Sequence, residues 1–261
     1  MKDYNFLDAN TFIGRSGKRE AMAFETKAEL LADMDYYRLN EALVTHISAK
    51  DYYPSYGNAV LMRELEGEER LTGCWVLPSY PRPDEPPLEQ MVDDMLTAGI
   101  RIVRIYPPIR TPEVVGPWLG YDIYRKLEAH RIPVLLSESD MGAWPDKSHN
   151  GYRANAVYDL CKAFPNLPVI IVRFNYQQIQ VAFAIMKECP NFHIEISNFT
   201  THRGVEVVAD AFGSERLIYG SGMPYQNPGS SLAILRFAAI SDAQKRDIAG
   251  DNVRRLMSEV I

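Results

Sequence analysis

The sequence predicts an α/β protein that folds as a single (β/α)₈ TIM barrel over residues 1–261. Three observations support this fold class. Short apolar, β-branched runs alternate with amphipathic helical patterns along the whole chain. The length of 261 residues is what one such barrel uses. No Gly-rich nucleotide-binding motif follows the first predicted strand, although an open doubly wound sheet would usually carry one there.

Eight runs are predicted as strands, and the patterns between and after them as helices. The strands are Asn5–Leu7, Glu41–Thr45, Thr72–Leu77, Ile102–Ile105, Val134–Leu136, Val169–Val172, Phe192–Ile196 and Leu217–Tyr219. Predicted helices include Leu88–Ala98, Tyr121–Ala129, Ala154–Ala163, Gln177–Lys187, Leu232–Ala238 and a terminal Asp242–Val260. The alternation implies a parallel sheet, and the count of eight favours a closed barrel over the open alternative.

Composition restricts the partners and the compartment. Hydrophobic residues make up 46% of the chain and charged residues 24%, as in ordinary globular domains. The net charge of -6 argues against nucleic acid and anionic membranes as partners. Cys74, Cys161 and Cys189 show no metal-ligand spacing and are expected to be buried or free thiols in a reducing compartment. No targeting or membrane-spanning pattern is seen, so a cytoplasmic location is expected.

Five segments occur in the order of a known family. They are Leu7–Gly14 (LDANTFIG), Ile132–Ser137 (IPVLLS), Pro168–Arg173 (PVIIVR), Arg216–Pro224 (RLIYGSGMP) and Ile248–Leu256 (IAGDNVRRL). Together they resemble the amidohydrolase superfamily, in its amidohydrolase-related, aminocarboxymuconate-semialdehyde decarboxylase-like branch. The resemblance implies a TIM barrel with its site at the C-terminal ends of the strands.

The chain departs from this family at the metal-binding positions. The resemblance places ligands at five positions, two His on the first strand, one each on the fifth and sixth, and an Asp on the eighth. Those positions hold Asn10, Phe12, Ser137, Arg173 and Gly222. Phe and Gly cannot ligate a cation and Arg would repel one, so we expect neither a metal nor another cofactor. A site rebuilt from relocated ligands is the alternative, drawn from His46, Glu138, Glu195 and His202.

Polar residues at the predicted strand ends form the candidate site. They are Asn10, His46, Tyr106, Ser137, Glu138, Arg173, Asn175, Asn198, Ser221 and Tyr225. An arginine at an inward position needs a carboxylate, because an unpaired buried charge costs several kcal/mol. We therefore expect Arg173, with Arg104 as a second guanidinium, to bind an anionic substrate. An ion pair of Arg173 with Glu138 or Glu195 is the alternative.

The expected activity follows from the resemblance and the altered ligand positions. The substrate-binding set is Arg173, Arg104, Asn10, Ser137, Tyr106 and Asn198, and the proton carrier is Glu138 or His46. The resemblance implies hydrolysis of a lactone or amide, or decarboxylation, of a small carboxylated substrate, here without metal. The alternative is an inactive barrel that binds a small anion or a protein partner. The resemblance also leaves a homodimer open.

Overall fold

A computed structural model describes residues 4–16, 23–79, 83–106, 121–137, 154–174 and 178–261. Within these ranges the strands are β1 Leu7–Ile13, β2 Glu41–His46, β3 Leu71–Gly73, β4 Trp75–Leu77, β5 Val103–Ile105, β6 Val134–Ser137, β7 Val169–Val172, β8 Phe192–Glu195 and β9 Leu217–Ile218. The helices are α1 Lys27–Tyr37, α2 Ile47–Asp51, α3 Pro54–Leu65, α4 Leu88–Thr97, α5 Tyr121–Ala129, α6 Ala154–Ala163, α7 Ile179–Glu188, α8 Gly204–Phe212, α9 Pro228–Arg236, α10 Asp242–Arg246 and α11 Asn252–Ser258.

The strands run parallel and in chain order, as a TIM barrel requires. One sheet has the order β1-β2-β3 and the other β4-β5-β6-β7-β8-β9. The strands β3 and β4 are one run of chain interrupted at Cys74, whose N–H donates to the Val44 carbonyl at 2.8 Å. At the other seam, the Ala9 N–H donates to the Tyr219 carbonyl at 3.1 Å, which links β1 to the chain after β9. The predicted fold class is confirmed.

Alternating side chains of the strands divide the apolar core into two clusters. The inner cluster fills the barrel and includes Leu43, Leu135, Ile170 and Ile218. Their neighbours along the strands, such as Leu136 and Ile171, belong to the outer cluster between strands and helices. The terminal helix α11 joins the inner cluster through two side chains and so covers the N-terminal end of the barrel. These side chains are Val253 and Leu256.

The first strand lies further along the chain than predicted. The prediction was Asn5–Leu7, whereas β1 covers Leu7–Ile13. Its pairing with β2 is irregular between Asp8 and Thr11, and the Asp8 carboxylate accepts the Asn10 N–H at 3.0 Å. The Thr11 hydroxyl donates to the Leu43 carbonyl at 2.8 Å, so the polar side chains of this buried strand are bonded to partners on other strands or on the backbone.

The helices after β9 also differ from their predicted bounds. The predicted Leu232–Ala238 is α9, which begins at Pro228 because Asn227 caps it and proline suits the first helical position. The predicted terminal helix is divided into α10, a π-helical segment at Asp247–Asp251, and α11.

The three cysteines are buried and free, as predicted. Among the described residues, no helix is long and apolar enough to cross a membrane.

Gly57 is required where α3 packs on α2, the helix that begins directly after His46. A Cβ at this position would lie 2.0 Å from the Ala49 backbone nitrogen. We expect Gly57→Ala to lower the free energy of unfolding by about 2–3 kcal/mol, because backbone atoms must move apart. Gly67→Ala is the control, since its Cβ would meet nothing within 4 Å and only its φ of +76° is strained. Equal losses in denaturant unfolding would contradict this account of the packing.

Candidate functional site

A chain of three buried side chains crosses the barrel interior between β1, β5 and β8. The Arg104 Nη2 donates to the Asn10 Oδ1 at 2.9 Å, and the Asn10 Nδ2 donates to the Glu195 Oε2 at 3.1 Å. All three residues are at most 1% exposed. The Asn10 amide oxygen thus accepts from the Arg104 guanidinium, and the Asn10 amide nitrogen donates to the Glu195 carboxylate. We call Arg104, Asn10 and Glu195 the central polar chain.

The Arg104 end of this chain is held by neutral groups. Its Nε donates to the Thr45 Oγ1 at 3.2 Å, and its Cζ lies 4.7 Å from the centroid of the Phe12 ring. The Phe12 ring in turn lies 5.4 Å from the ring of Tyr225. Among the described residues no carboxylate lies within ion-pair distance of Arg104. The guanidinium therefore lies in a desolvated place with aromatic and neutral polar contacts.

The Glu195 end is surrounded by donors. Besides Asn10, its carboxylate accepts the Arg173 N–H at 3.1 Å, the Ser197 hydroxyl at 2.8 Å and the Ser197 N–H. Burial raises the pKa of Glu195 above its ordinary value, and these hydrogen bonds oppose that shift. A Cβ on Gly220 would lie 2.5 Å from the Glu195 Oε1, so only glycine leaves room for the carboxylate.

Asp8 is a second buried acid and joins the two strands at the barrel seam. Its Oδ1 accepts the N–H of Asn10 at 3.0 Å and that of Ser221 at 2.9 Å, whereas its Oδ2 has no hydrogen-bond partner within the described part of the chain. Burial is the main cause that raises the pKa of Asp8 to about 7, with a smaller contribution from the charge of Glu195. At neutral pH this carboxyl is therefore close to half protonated.

His46 lies at the C-terminal end of β2, as predicted, with its ring against Gly14. Its Nδ1 accepts the Ser48 N–H at 3.2 Å and caps α2. Burial lowers the pKa of His46, and the charge of Glu64 opposes this. The ring is therefore neutral with the proton on Nε2, so it presents a donor to the barrel mouth. A proton-accepting role would require release of the Ser48 hydrogen bond.

Arg173 follows β7 directly and is half-buried. Its φ of 56° is left-handed, and it is the backbone N–H that bonds Glu195. The expected alternative of an Arg173–Glu195 ion pair is wrong, because no such contact lies within 4 Å. The residue thus contacts Glu195 through its backbone, at a left-handed turn that directly follows β7. Among the described residues no carboxylate pairs with this guanidinium.

The remaining predicted site residues are only partly placed. Tyr106 and Asn198 are half-buried; Tyr106 directly follows β5, and Asn198 comes three residues after the end of β8. The Lys50 Nζ lies 4.9 Å from the centroid of the Tyr106 ring. Ser137 ends β6, but its side chain lies outside the described part of the chain, as do Glu138 and Asn175 entirely. Their predicted roles stay predictions.

The described residues at this end of the barrel do not fit a divalent cation. Both polar atoms of Asn10 are used by the central polar chain, Phe12 is apolar, and Gly222 has no side chain. The Arg104 charge lies among them and would repel a metal. Within the described ranges no three His, Cys, Asp or Glu side chains form a group that could hold a metal.

The other described histidines do not rebuild such a site. His193 points into the barrel near its N-terminal end, with Nδ1 3.1 Å from the Glu215 carbonyl, and burial lowers its pKa to about 3. His130 lies in a helix-to-strand turn, 2.8 Å from the Ile261 carbonyl. His202 is exposed in the chain before α8.

Sequence reasoning missed the polar partners inside the barrel. Thr45 and Ser197 were not singled out, Asp8 was read only as part of a motif, and Glu195 was weighed only as a relocated ligand or a partner of Arg173. They could have been found by asking which strand residues lie on the same face as the apolar residues that point into the barrel. Residues two apart on one strand share a face, and Ile102 with Arg104 is such a pair.

The central polar chain should contribute strongly to stability. Asn10→Leu keeps the side-chain volume but leaves a buried guanidinium and carboxylate without their amide partner. We expect the free energy of unfolding to fall by about 3 kcal/mol in denaturant titration. The half-buried Asn198 supplies the control, Asn198→Leu, and a loss no larger than that of the control would refute the role of Asn10.

Asp8 should make stability depend on pH. Its pKa is higher in the folded chain than in the unfolded chain, so its contribution is fully present at low pH and is lost as the pH rises through about 7. Asp8→Asn mimics the protonated acid. Between pH 5 and 8, wild type should lose roughly 2 kcal/mol relative to Asp8→Asn. The exposed Asp94→Asn serves as control, and parallel curves for wild type and Asp8→Asn would contradict the assignment.

Solved structures with the same fold are numerous. A 5-carboxyvanillate decarboxylase, LigW, from Sphingomonas paucimobilis has a TM-score of 0.73 and 12% identity over 99% of this chain and 100% of that one. A dihydroxybenzoic acid decarboxylase from Polaromonas sp. JS666, with bound manganese and 2-nitroresorcinol, has a TM-score of 0.72 and 11% identity over 97% of each chain. These identities support the fold alone.

A hydrolase is among the similar structures as well. A protein from Acinetobacter baumannii, assigned as a 2-pyrone-4,6-dicarboxylic acid hydrolase and bound to citric acid, has a TM-score of 0.65. Its identity is 14% over 97% of this chain and 99% of that one. No curated protein sequence matches this chain at a significant level. The sequence profile of the amidohydrolase family matches residues 41–257, and the chain belongs to this family.

Proposed function

We propose that this protein is a hydrolase or a decarboxylase that acts on a small ring carboxylate without a bound metal. The observation that carries the proposal is the Arg173 guanidinium. It lies at the C-terminal end of β7, is half-buried, and has no carboxylate within ion-pair distance among the described residues. A substrate carboxylate would supply the missing counter-charge through two parallel hydrogen bonds.

The central polar chain supports this site from below. Arg104 is too deeply buried behind Phe12 to grip a substrate itself, but its charge is little screened there. Glu195 offsets that charge and also fixes the backbone of Arg173 through its N–H. The arrangement therefore favours an anion at the mouth and holds the residue that would bind it.

The chemistry of the similar structures supports the substrate class. Their names refer to 5-carboxyvanillate, dihydroxybenzoic acid and 2-pyrone-4,6-dicarboxylic acid, which are all ring carboxylates. Both reaction types, loss of carbon dioxide and opening of a cyclic ester, develop negative charge that a nearby guanidinium would stabilise.

The proton carrier in this proposal is Glu138, which lies outside the described residues. His46 would assist as a donor through its Nε2–H, because its Nδ1 is occupied by the Ser48 N–H. A catalytic carboxyl needs a pKa raised toward neutrality to exchange protons at physiological pH. Glu138→Gln should then abolish turnover while leaving substrate binding in place.

The proposed activity is tested with a panel of ring carboxylates and cyclic lactones, followed by release of carbon dioxide or acid. We expect Arg173→Met to lower kcat/KM by roughly ten- to a hundredfold, mainly through a higher KM, because a charge-assisted contact with the substrate is lost. An unchanged kcat/KM in Arg173→Met would contradict the proposed role of Arg173.

Arg131→Met is the matched control for this measurement. Arg131 has a left-handed φ of 54°, close to the 56° of Arg173, but it lies in the turn before β6 at the opposite end of the barrel. Its substitution should leave kcat/KM unchanged. Binding of ring carboxylates without any turnover would instead favour an inactive barrel that binds small anions.

A further inference from the structure

A pocket of about 660 Å³ lies outside the barrel, in the groove between α1 and α9. Its residues come from the chain before β1, from the end of α1 and from α9. Small-molecule sites in proteins commonly have volumes of this size. Four aromatic and two cationic side chains define its character: Tyr4, Tyr36, Tyr37, Phe237, Arg38 and Arg236.

The pocket carries two positive charges on its lining. Among the described residues that line it are Arg38 and Arg236 but no Asp or Glu, and the lining contacts an acid through the Tyr4 hydroxyl, which donates to the Asp242 Oδ1 at 3.0 Å. Within the described ranges neither guanidinium has an ion pair or a hydrogen bond. The protein as a whole has a net charge of -6, so this local excess of cations is opposite to the general trend. An anionic ligand would be attracted here rather than to the surrounding surface.

Arg236 is held in the wall of the pocket with a polar atom unsatisfied. Its Cζ lies 5.3 Å from the centroid of the Phe6 ring, which fixes the guanidinium against the barrel. Its Nε is buried and has no hydrogen-bond acceptor among the described residues. A buried donor without an acceptor costs about 1–3 kcal/mol. The two Nη groups of Arg236, unlike its Nε, are not buried, so a carboxylate in the pocket would accept from them.

Exposed aromatic rings flank these cations. Phe237 is 87% exposed and Tyr36 is 79% exposed, which is unusual for such large apolar side chains. Tyr36 packs edge-on against Tyr37, with ring centroids 4.9 Å apart, and the Tyr37 hydroxyl donates to the Asn227 Oδ1 at 3.3 Å. The two tyrosine rings are thus held together, and with the exposed Phe237 ring they offer flat apolar surface in the lining that also contains the two arginines.

We propose that this pocket binds a small aromatic carboxylate, with the carboxylate on Arg236 and Arg38 and the ring against Phe237 and the tyrosines. The site is separate from the barrel mouth, since Arg38 and Arg236 lie at the ends of helices that lead away from the C-terminal strand ends. It therefore does not rest on the activity proposed above.

Benzoate is the probe, and its uncharged analogue benzamide tests the need for charge. Isothermal titration calorimetry of the full chain should show benzoate binding that weakens at least tenfold with Arg236→Met, Arg38→Met or Phe237→Ser. The last two substitutions are at exposed positions and should not affect folding. Arg63→Met, an exposed arginine on α3, is the matched control and should bind as wild type does.

The barrel mouth could also bind benzoate, so Arg173→Met is included as a second reference. Binding that persists in Arg173→Met and is lost in the three pocket variants would support the proposal. Absence of benzoate binding, equal affinity for benzamide, or binding that depends on Arg173 and not on Arg236 would overturn it. These outcomes are independent of whether any turnover is found.

Discussion

The rest of the barrel interior depends on the hydrogen bonds that join Arg104, Asn10 and Glu195. A guanidinium and a carboxylate, both withdrawn from water, would each be costly alone, and a single amide satisfies the two at once. Because the chain connects β5, β1 and β8, it ties together strands that are not neighbours. Replacement of any member leaves a buried polar group without its partner, so the three residues are constrained together.

This constraint also determines what the C-terminal end of the barrel can do. Glu195 holds the backbone of Arg173, which has a left-handed conformation directly after β7. Gly220 leaves the space that the Glu195 carboxylate needs. The side chains of Arg104, Asn10 and Glu195 are thus bonded to one another, and in the proposed function the Arg173 guanidinium is the charge available to a substrate. A site of this kind is suited to binding an anion.

The sequence predicted the fold well because alternating apolar runs determine which strands are buried, and every predicted strand except the first lies near its observed position. The apolar pattern placed the first strand too early, because Asp8, Asn10 and Thr11 interrupt it, whereas the family resemblance correctly placed Asn10 and Phe12 on that strand. The positions of Asn10, Arg104 and Arg173 on the predicted strands identified them as candidate site residues. Their contacts could not be predicted, because partners such as Asn10 and Glu195 are 185 residues apart in sequence. Arg104 is buried inside the barrel, whereas Arg173 is half-buried at a left-handed turn after β7. The sequence pattern does not reveal this turn.

We propose that a hydrogen-bonded network of charged and polar groups, rather than a metal, occupies the interior of this amidohydrolase-family barrel. The most direct measurement is elemental analysis of protein purified after growth with added zinc and manganese. The account predicts no divalent metal in stoichiometric amount. The account would be contradicted by one equivalent of tightly bound metal if chelation removed both the metal and the turnover and if adding the metal back restored turnover.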